Sequence, residues 1–292
     1  MRVTEGMMAD QYLYNHDKVA QKEVQIQSQL AANTKILNVS DDVSGALDAI
    51  RLNSQNNKTL SYIKNADSAT SFMQSSLNSL DQVTTQLQNV ISSSNSAVNA
   101  LNSSNYGSIA QSIKDSLAAI VNNVNTKQNG MYLFGGTNYS GDPVSIDVNG
   151  KAVVSATDHS GEVKLRLSDN VTETINIPST KISGTGIFTA VNNIIDSLVG
   201  GNAPTQTQLN DLSTAYNALL NVQSENGAKI NRFQNIHDLL QNQSDNYQAM
   251  LTKVQGIDTA KLVVDLQQQD YLLQVSNKLL ANVLSKSLIN YL

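Results

Sequence analysis

Each of the three histidines stands beside an aspartate, and an acid next to an imidazole is a pairing used in general acid–base catalysis. The pairs are His16–Asp17, Asp158–His159 and His237–Asp238. Neighbouring residues on a helix point away from each other, so this spacing does not predict a catalytic dyad. The chain has no His-Glu-x-x-His run, which argues against catalytic zinc. His237 falls on an apolar stripe, so we expect a core or interface imidazole that an Asn or Gln opposite satisfies.

Three other motifs have a structural interpretation that is simpler than a chemical one. Gly184-Thr185-Gly186 lacks the Lys-Ser/Thr of a phosphate-binding loop, so we predict a turn into a helix at Ile187. Asp41-Asp42 lacks the alternating ligands of a calcium loop and is interpreted as a helix N-terminal cap. No Gly-x-Ser-x-Gly elbow and no Cys are present. We therefore predict a protein that is not an enzyme and that holds no metal or cofactor.

The composition narrows the possible functions further. Of the 292 residues, 111 are Asn, Gln, Ser or Thr, whereas only 15% are charged and the net charge is −5. A nucleic-acid-binding protein needs a basic stripe, so we expect no nucleic-acid partner. We find neither an apolar segment near Met1 nor a run of 18 apolar residues, and so expect no cleaved signal and no membrane span.

Two long stripes of apolar positions alternate in steps of three and four, which is the period of packed helices. The first comprises Ala66, Thr70, Met73, Leu77, Leu80, Thr84, Leu87, Ile91, Ser94, Val98 and Leu101. The second comprises Leu209, Leu212, Tyr216, Leu219, Gln223, Asn226, Ile230, Phe233, His237, Leu240, Ser244, Tyr247, Leu251 and Val254. At 1.5 Å per residue they span roughly 50 and 70 Å. Their matched period predicts an antiparallel helical pair.

The segment between the two stripes has a different pattern. A shorter helix is predicted between Ser108 and Lys127, ended by Asn129-Gly130, and another at Ile187–Val199. Between Asp142 and Thr180 the period changes to two, which indicates a small β insertion of about four strands. Its first hairpin is predicted from Asn149-Gly150 between two alternating runs.

The chain ends carry apolar stripes of their own. The N-terminal stripe comprises Tyr12, Val19, Ile26, Leu30 and Leu37, and the C-terminal one Leu262, Leu266, Leu273, Leu280, Leu284, Leu288 and Tyr291. Val263, Tyr271, Val275, Leu279, Val283 and Ile289 widen the second stripe beyond what one partner helix covers. We therefore expect the terminal helices to associate with copies of the chain or with its relatives.

These patterns predict a mainly α fold with an α+β insert, built as a long antiparallel helical bundle or coiled coil from both chain ends. An N-terminal axial helix, residues 1–40, is expected to pair with a C-terminal axial helix, residues 256–292. Residues 41–139 and 186–255 are expected to form the two halves of a helical shaft, with the β domain at 140–185.

Five segments resemble the bacterial flagellin family. Asn38–Ala46, which holds Asp41, Asp42 and Gly45, resembles the start of the first long helix of flagellins, and Gly256–Ala260 resembles the turn before their last helix. Asn226–Phe233 is similar to their Gly-Ala…Asn-Arg-Phe run and places Asn231 and Arg232 in that motif. Gly130–Thr137, with Tyr132, Leu133, Phe134, Gly135 and Gly136, resembles the Tyr-Leu-Phe-Gly-Gly-Thr signature of the hook–filament junction members, the third hook-associated proteins. The ending Ser287–Leu292 is also similar to that branch.

The resemblance implies a structural protein exported unfolded through the flagellar type III apparatus and located outside the cell. It implies self-association in a helical, tubular array and an export chaperone that recognises the C-terminal helix. For a junction member it implies the first hook-associated protein on the hook side and flagellin on the filament side. Two alternatives remain open: the chain is flagellin itself, or it is a surface adhesin that binds glycans through the β insert.

Overall fold

The computed structural model describes residues 5–99 and 104–289, and it describes side chains at residues 7, 10–99 and 104–281. Leu101 and Tyr291, which were expected on the stripes, are outside the described residues, as are the side chains of Leu284 and Leu288. The helices are α1 (Glu5–Ala32), α2 (Val43–Ala97), α3 (Tyr106–Val124), α4 (Ser179–Ser183), α5 (Ile187–Val199), α6 (Gln206–Gln255) and α7 (Thr259–Ile289). The strands are β1 (Lys127–Gln128), β2 (Met131–Tyr132), β3 (Val144–Ile146), β4 (Ala152–Val154), β5 (Lys164–Arg166) and β6 (Thr172–Thr174). No helix in this described part is long and apolar enough to cross a membrane.

The chain divides into two compact units. The terminal unit comprises Met1–Lys58 and Gln243–Leu292, and the central unit comprises Thr59–Asn242. In the terminal unit α1 lies against α7. The loop after α1 is held to the end of α6 because the Lys35 N–H donates to the Gln255 carbonyl, 2.9 Å away. A buried hydrogen bond of 2.7 Å from the Ser244 hydroxyl to Asn56 joins α6 to α2.

In the central unit α2 and α6 run antiparallel, as the two matched stripes predict. Asp67 on α2 lies beside His237 on α6 at 3.5 Å, and farther along, Gln88 donates to the Tyr216 hydroxyl at 2.7 Å. The residue number therefore rises along one helix while it falls along the other. Apolar members of both stripes are buried: Ala66, Met73, Leu80, Leu87, Leu212, Leu219, Ile230, Phe233 and Leu240. Val98 departs from the prediction, since it lies just beyond the end of α2 and is 47% exposed.

The buried polar positions of the first stripe are satisfied within the helix. The hydroxyls of Thr84 and Ser94 donate to the carbonyls four residues earlier, at 2.9 and 2.7 Å. Ser76, a buried residue next to the stripe, does the same to the Phe72 carbonyl at 3.1 Å. A buried hydroxyl without a partner costs roughly 1–3 kcal/mol, and these internal bonds remove that penalty. This is how a chain rich in Ser and Thr can bury a helix face.

The core of the central unit has two apolar clusters. The larger one is formed by α2, α3, α5 and the start of α6, together with Leu133, Phe134 and Val144. The smaller one joins α2 to α6 through Met73 and Phe233 and includes residues from the β5–β6 region. The strand region is therefore packed against the helices and contributes to the same cores.

The strands form three separate antiparallel hairpins, β1–β2, β3–β4 and β5–β6. The expected hairpin around Asn149-Gly150 is present, but its loop runs from residue 147 to 151 because β3 ends at Ile146. The Asp147 carboxylate accepts from the Asn149 and Lys151 N–H groups, both at 2.8 Å, and this closes the longer loop. The same bonds, led by the one from Lys151, lower the pKa of Asp147.

The prediction that Asn129-Gly130 ends a helix is wrong. Helix α3 ends at Val124, and Asn129 and Gly130 form the two-residue turn of the β1–β2 hairpin. Their φ angles of 51° and 82° are those of a type I′ turn, which favours Asn-Gly. The flanking strands have only two residues each, too short for a period-two pattern to be visible in the sequence.

Candidate assembly surface and family motifs

The α1–α7 pair carries the residues predicted for the assembly interface. Ile26 and Leu280 are buried, at 2% and 9% exposure. The other predicted positions with described side chains are half-buried: Tyr12, Val19, Leu30, Leu262, Leu266 and Leu273. The structure thus brings both terminal stripes into one helical pair, in which six of the eight predicted side chains that are described remain partly exposed.

A second apolar face lies on the outside of this pair. On α7 it includes Val264, Tyr271 and Leu279, and on α1 it includes Tyr14 and Val24, all exposed. Exposed apolar stripes of this length are typical of protein–protein interfaces. The two-sided apolar stripe that the sequence indicated on α7 therefore has one side toward α1 and one side available to another molecule.

Sequence analysis missed a third exposed stripe, at the start of α2. Val43, Leu47 and Ile50 are each more than half exposed, whereas Ala46 and Ala49 on the adjoining face are buried. The steps of four and three residues from 43 to 50 could have revealed it. The start of α2 is therefore apolar over two adjoining faces, one buried and one exposed.

Asp41 and Asp42 build the entrance to α2. The Asp41 carboxylate accepts from the Leu37 and Asn38 N–H groups at 3.0 and 2.8 Å, and it closes the turn before the helix. Asp42 caps the helix by accepting from the Gly45 N–H at 2.9 Å, as predicted. A Cβ at Gly45 would lie 2.5 Å from this carboxylate and 2.7 Å from the side chain of Ile36. The Asp–Gly pattern is therefore a steric requirement of the turn.

The Tyr132–Thr137 segment joins three parts of the central unit. Leu133 and Phe134 are fully buried in the large cluster. The Leu133 N–H donates to the Thr126 carbonyl at 2.9 Å, and the Phe134 carbonyl accepts from the Ser179 N–H at 2.7 Å. The segment therefore connects the end of α3 to the start of α4.

Of the two glycines in this segment, Gly136 allows the close approach of another loop and Gly135 allows a tight turn within the segment. Gly136 has a φ of +66°, and a Cβ there would lie 2.6 Å from the carbonyl oxygen of His159. A Cβ at Gly135 would lie 2.7 Å from that of Tyr132. The His159 imidazole is buried, and its Nδ1 is 3.1 Å from the Gly135 carbonyl, so Nδ1 carries the proton and donates. His159 is a structural residue that holds this loop against the Gly-Gly pair.

Tyr132 contributes polar contacts on the other side of the segment. Its hydroxyl donates to the Asp142 carboxylate at 2.5 Å, and Nζ of Lys127 lies 4.3 Å from the centre of its ring. A cation over an aromatic face is worth about 0.5–1 kcal/mol at an exposed site. Asp142 stands at the entrance of the β3–β4 region, so the motif also fixes where that region leaves the helical shaft.

The Asn226–Phe233 motif is divided between the core and the surface. Asn226, Ile230 and Phe233 are buried, whereas Asn231 is exposed. Nη2 of Arg232 lies 2.6 Å from the Glu173 carboxylate on β6. Arg232 thus ties α6 to the β5–β6 hairpin, and Asn231 faces away from the helical pair.

Two expectations about the histidines are wrong. The partner of His237 is the Asp67 carboxylate, 3.5 Å from Nε2, and not an Asn or Gln. In addition, the side chains of adjacent His and Asp residues do meet: Nδ1 of His237 is 3.1 Å from Asp238, and Nδ1 of His16 is 3.4 Å from Asp17. At an exposed helix surface both side chains can bend toward each other although their Cβ atoms diverge. These contacts lie on helix surfaces.

Two family models match the chain. Residues 3–139 match the bacterial flagellin N-terminal helical region, and residues 209–292 match the bacterial flagellin C-terminal helical region. Together the matches cover about three quarters of the chain. The chain belongs to the flagellin family. A search of curated protein sequences gives no match for this flagellin-family chain.

Solved structures with the same fold are flagellar proteins. A candidate flagellar hook-associated protein of Vibrio parahaemolyticus superposes with a TM-score of 0.66 at 18% identity, over 74% of this chain and 100% of that one. Flagellar hook-associated protein 3 of Legionella pneumophila gives 0.60 at 15% identity, over 70% and 98%. The flagellar junction protein FlgL of the same organism gives 0.58 at 14%, over 71% and 99%. At 14–18% sequence identity, these comparisons show that the proteins share a fold.

Proposed function

We propose that this flagellin-family protein is a structural subunit of the bacterial flagellum that joins the hook to the filament as a zone of helically arranged subunits. The observation that carries the proposal is the shared fold: the chain matches a flagellar junction protein over 99% of that protein's structure. The Tyr132–Thr137 segment, which is buried from Tyr132 to Gly136 and resembles the junction signature, supports the same assignment.

The proposed mechanism is mechanical. The exposed faces of α1 and α7 and the stripe at Val43, Leu47 and Ile50 bury apolar area against neighbouring copies. Head-to-tail contacts of this kind, which use different surfaces on the two partners, build a helical array when their rotation does not close. The axial contacts are proposed to include the predicted residues of both terminal helices: Tyr12, Val19, Ile26, Leu30, Leu262, Leu266, Leu273, Leu280, Leu284 and Leu288.

The proposed partners differ at the two ends of the zone. The first hook-associated protein contacts it on the hook side and flagellin on the filament side. The subunit reaches this position outside the cell through the flagellar type III export apparatus, with a chaperone on its C-terminal helix. The exposed apolar residues of α7, such as Val264 and Tyr271, are a surface that a chaperone can cover before assembly.

Localisation in a strain that lacks its own junction protein tests the proposal. The gene is expressed in that strain, and the protein is labelled with antibody and viewed by electron microscopy. We expect a narrow band at the tip of the hook and restored filament attachment. Label along the whole filament would show that the chain is flagellin, and label on the cell body with no filament recovery would contradict a flagellar role.

A further inference from the structure

The β3–β4 hairpin is a sheet of only two strands, so each strand is also an edge. At one end of the hairpin the Ser155 N–H donates to the Pro143 carbonyl at 3.0 Å. At the other end the Asp147 N–H donates to the Lys151 carbonyl at 2.8 Å. In an antiparallel pair, residues that exchange hydrogen bonds alternate with residues whose N–H and C=O groups point away from the partner strand. Four residues therefore present their backbone groups outward: Val144 and Ile146 on β3, and Ala152 and Val154 on β4.

An asparagine side chain closes the outward side of β3. Asn125, the residue that follows α3, donates from Nδ2 to the Val144 carbonyl at 2.6 Å. Its Oδ1 accepts from the Val144 N–H at 3.2 Å. One planar amide thus occupies both backbone groups of a strand residue, as a neighbouring strand would.

A second asparagine does the same on β4. Asn192, which lies on α5, accepts from the Ala152 N–H at 3.0 Å and donates to the Ala152 carbonyl at 2.9 Å. A salt bridge of 2.6 Å from Lys151 to Asp196 ties the hairpin loop to the same helix. Each edge of the hairpin therefore holds one side-chain amide that fills both groups of one residue.

The side chains of this hairpin favour pairing with a further strand. β3 and β4 contain no charged residue, and Ile146, Val153 and Val154 are exposed. Uncharged strands of high β-propensity readily accept another strand at an open edge, and natural proteins prevent this addition by blocking the edge. The two amides stand where such a block is needed.

The β5–β6 hairpin is protected in a different way. Its strands carry Lys164, Arg166 and Glu173, and charged side chains are a common form of edge protection. Asn65 donates to the Arg166 carbonyl at 2.8 Å, a single bond in which only the amide nitrogen takes part. The uncharged hairpin is thus the one in which an amide occupies both groups of a residue on each edge.

We propose that Asn125 and Asn192 block the two edges of the β3–β4 hairpin, so that a strand of a second copy of the chain cannot add to either edge. With both amides in place, an incoming strand reaches only the outward groups of Ile146 on β3 or of Val154 on β4. One residue is too short a contact to hold an added strand, since even a complete two-stranded hairpin is only marginally stable in water. This inference is independent of the flagellar role, because both edges are closed within one subunit.

The double variant Asn125→Ala with Asn192→Ala opens both edges and tests the proposal. The matched control is Asn122→Ala with Asn193→Ala, which removes two exposed amides from α3 and α5. In sedimentation equilibrium of the full chain, we expect the double variant to self-associate at a concentration at least about tenfold lower than the control, a difference of about 1.4 kcal/mol. Equal association of the two proteins would overturn the proposal.

Proline at the remaining outward positions shows whether the association uses the edges. Ile146→Pro and Val154→Pro remove N–H groups that point away from the other strand, and edge strands tolerate proline at such positions. Both prolines, added to the double variant, are expected to return the association to that of the control. Association that persists would use another surface and would contradict the edge-blocking role.

Amide hydrogen exchange follows each edge separately. In Asn192→Ala the Ala152 amide is expected to exchange at least about tenfold faster, while the Val144 amide keeps its rate. Asn125→Ala is expected to give the reverse. Unchanged exchange in both variants would show that the two amides do not close the edges.

The wild-type protein gives a measurement that needs no variant to fold. The amides of Val144 and Ala152 are expected to be protected from exchange, and those of Ile146 and Val154 to exchange freely. Slow exchange at all four would show that each edge is covered along its whole length, which would contradict the proposal.

Discussion

Replacing Leu280 by Asp tests whether the α1–α7 pair depends on its few buried contacts. Leu280 is 9% exposed, and Ile26 at 2% is the other well-buried apolar residue among the predicted interface positions with described side chains. Burying a leucine contributes about 1.5–3 kcal/mol, and a carboxylate at the same place adds a desolvation cost. We therefore expect a loss of at least about 3 kcal/mol in helix pairing, which is more than a hundredfold in the equilibrium.

Amide hydrogen exchange on the isolated subunit measures this effect. In Leu280→Asp, exchange along α1 is expected to accelerate about a hundredfold, because α1 loses its packing partner. The neighbouring variant Leu279→Asp is the matched control, since Leu279 is 42% exposed and the charge change is the same. It is expected to change α1 exchange only a few-fold. The central unit around Leu80 and Val83 keeps its protection in both variants, because neither residue contributes to its core.

The same two variants separate subunit folding from assembly. Under the proposed function, Leu280→Asp and Leu279→Asp both fail to restore filament attachment, the first through lost pairing and the second through the outer face of α7. Val148→Asp, at the fully exposed tip of the β3–β4 hairpin, is expected to incorporate normally. Unchanged α1 exchange in Leu280→Asp, or equal acceleration in Leu279→Asp, would refute the reasoning about α1–α7 packing.

Three further predictions concern the central unit. Gly136→Ala should lower the free energy of unfolding, measured by urea unfolding, by more than about 2 kcal/mol. The φ of +66° and the 2.6 Å approach to the His159 carbonyl oxygen leave no room for a methyl group. An unchanged free energy of unfolding would contradict this reasoning. Gly227→Ala should raise the free energy of unfolding by about 1 kcal/mol in the same assay, since a Cβ at this position in the middle of α6 meets nothing within 4 Å. A lower free energy of unfolding would contradict this prediction and show backbone strain that the contacts do not reveal. The hydrogen bond from Lys181 lowers the pKa of Glu225. The ion pair therefore contributes to the free energy of unfolding above the ordinary glutamate pKa of about 4.3, and this contribution is lost as the pH falls through the lowered pKa. Lys181→Met should therefore reduce the loss of stability at acid pH by at most about 1 kcal/mol, the range for an exposed ion pair. An unchanged dependence of stability on pH would contradict the role given to the Lys181–Glu225 pair.

The helical architecture was predictable because periodicity is a local property of the sequence. Burial of one face requires apolar or internally satisfied residues every three or four positions, and α2 and α6 meet this over their whole central parts. The Asp42 cap and the turn before α7 were also predictable, since each involves residues within a few positions of one another. For the same reason the sequence indicated both terminal stripes.

Contacts between distant residues were decided only by the tertiary structure. Asp67 beside His237, Arg232 beside Glu173 and the hydrogen bond from Asn226 to the Met73 carbonyl each depend on the register of α6 against elements more than fifty residues away. The Asn129-Gly130 turn was misassigned because strands of two residues have no period. By itself the sequence determined which faces of the helices are buried, since that choice follows from side-chain polarity and local spacing. The fold decided which residues meet across those faces and which apolar stripes remain exposed for assembly, because these outcomes depend on packing between segments that are far apart in the chain.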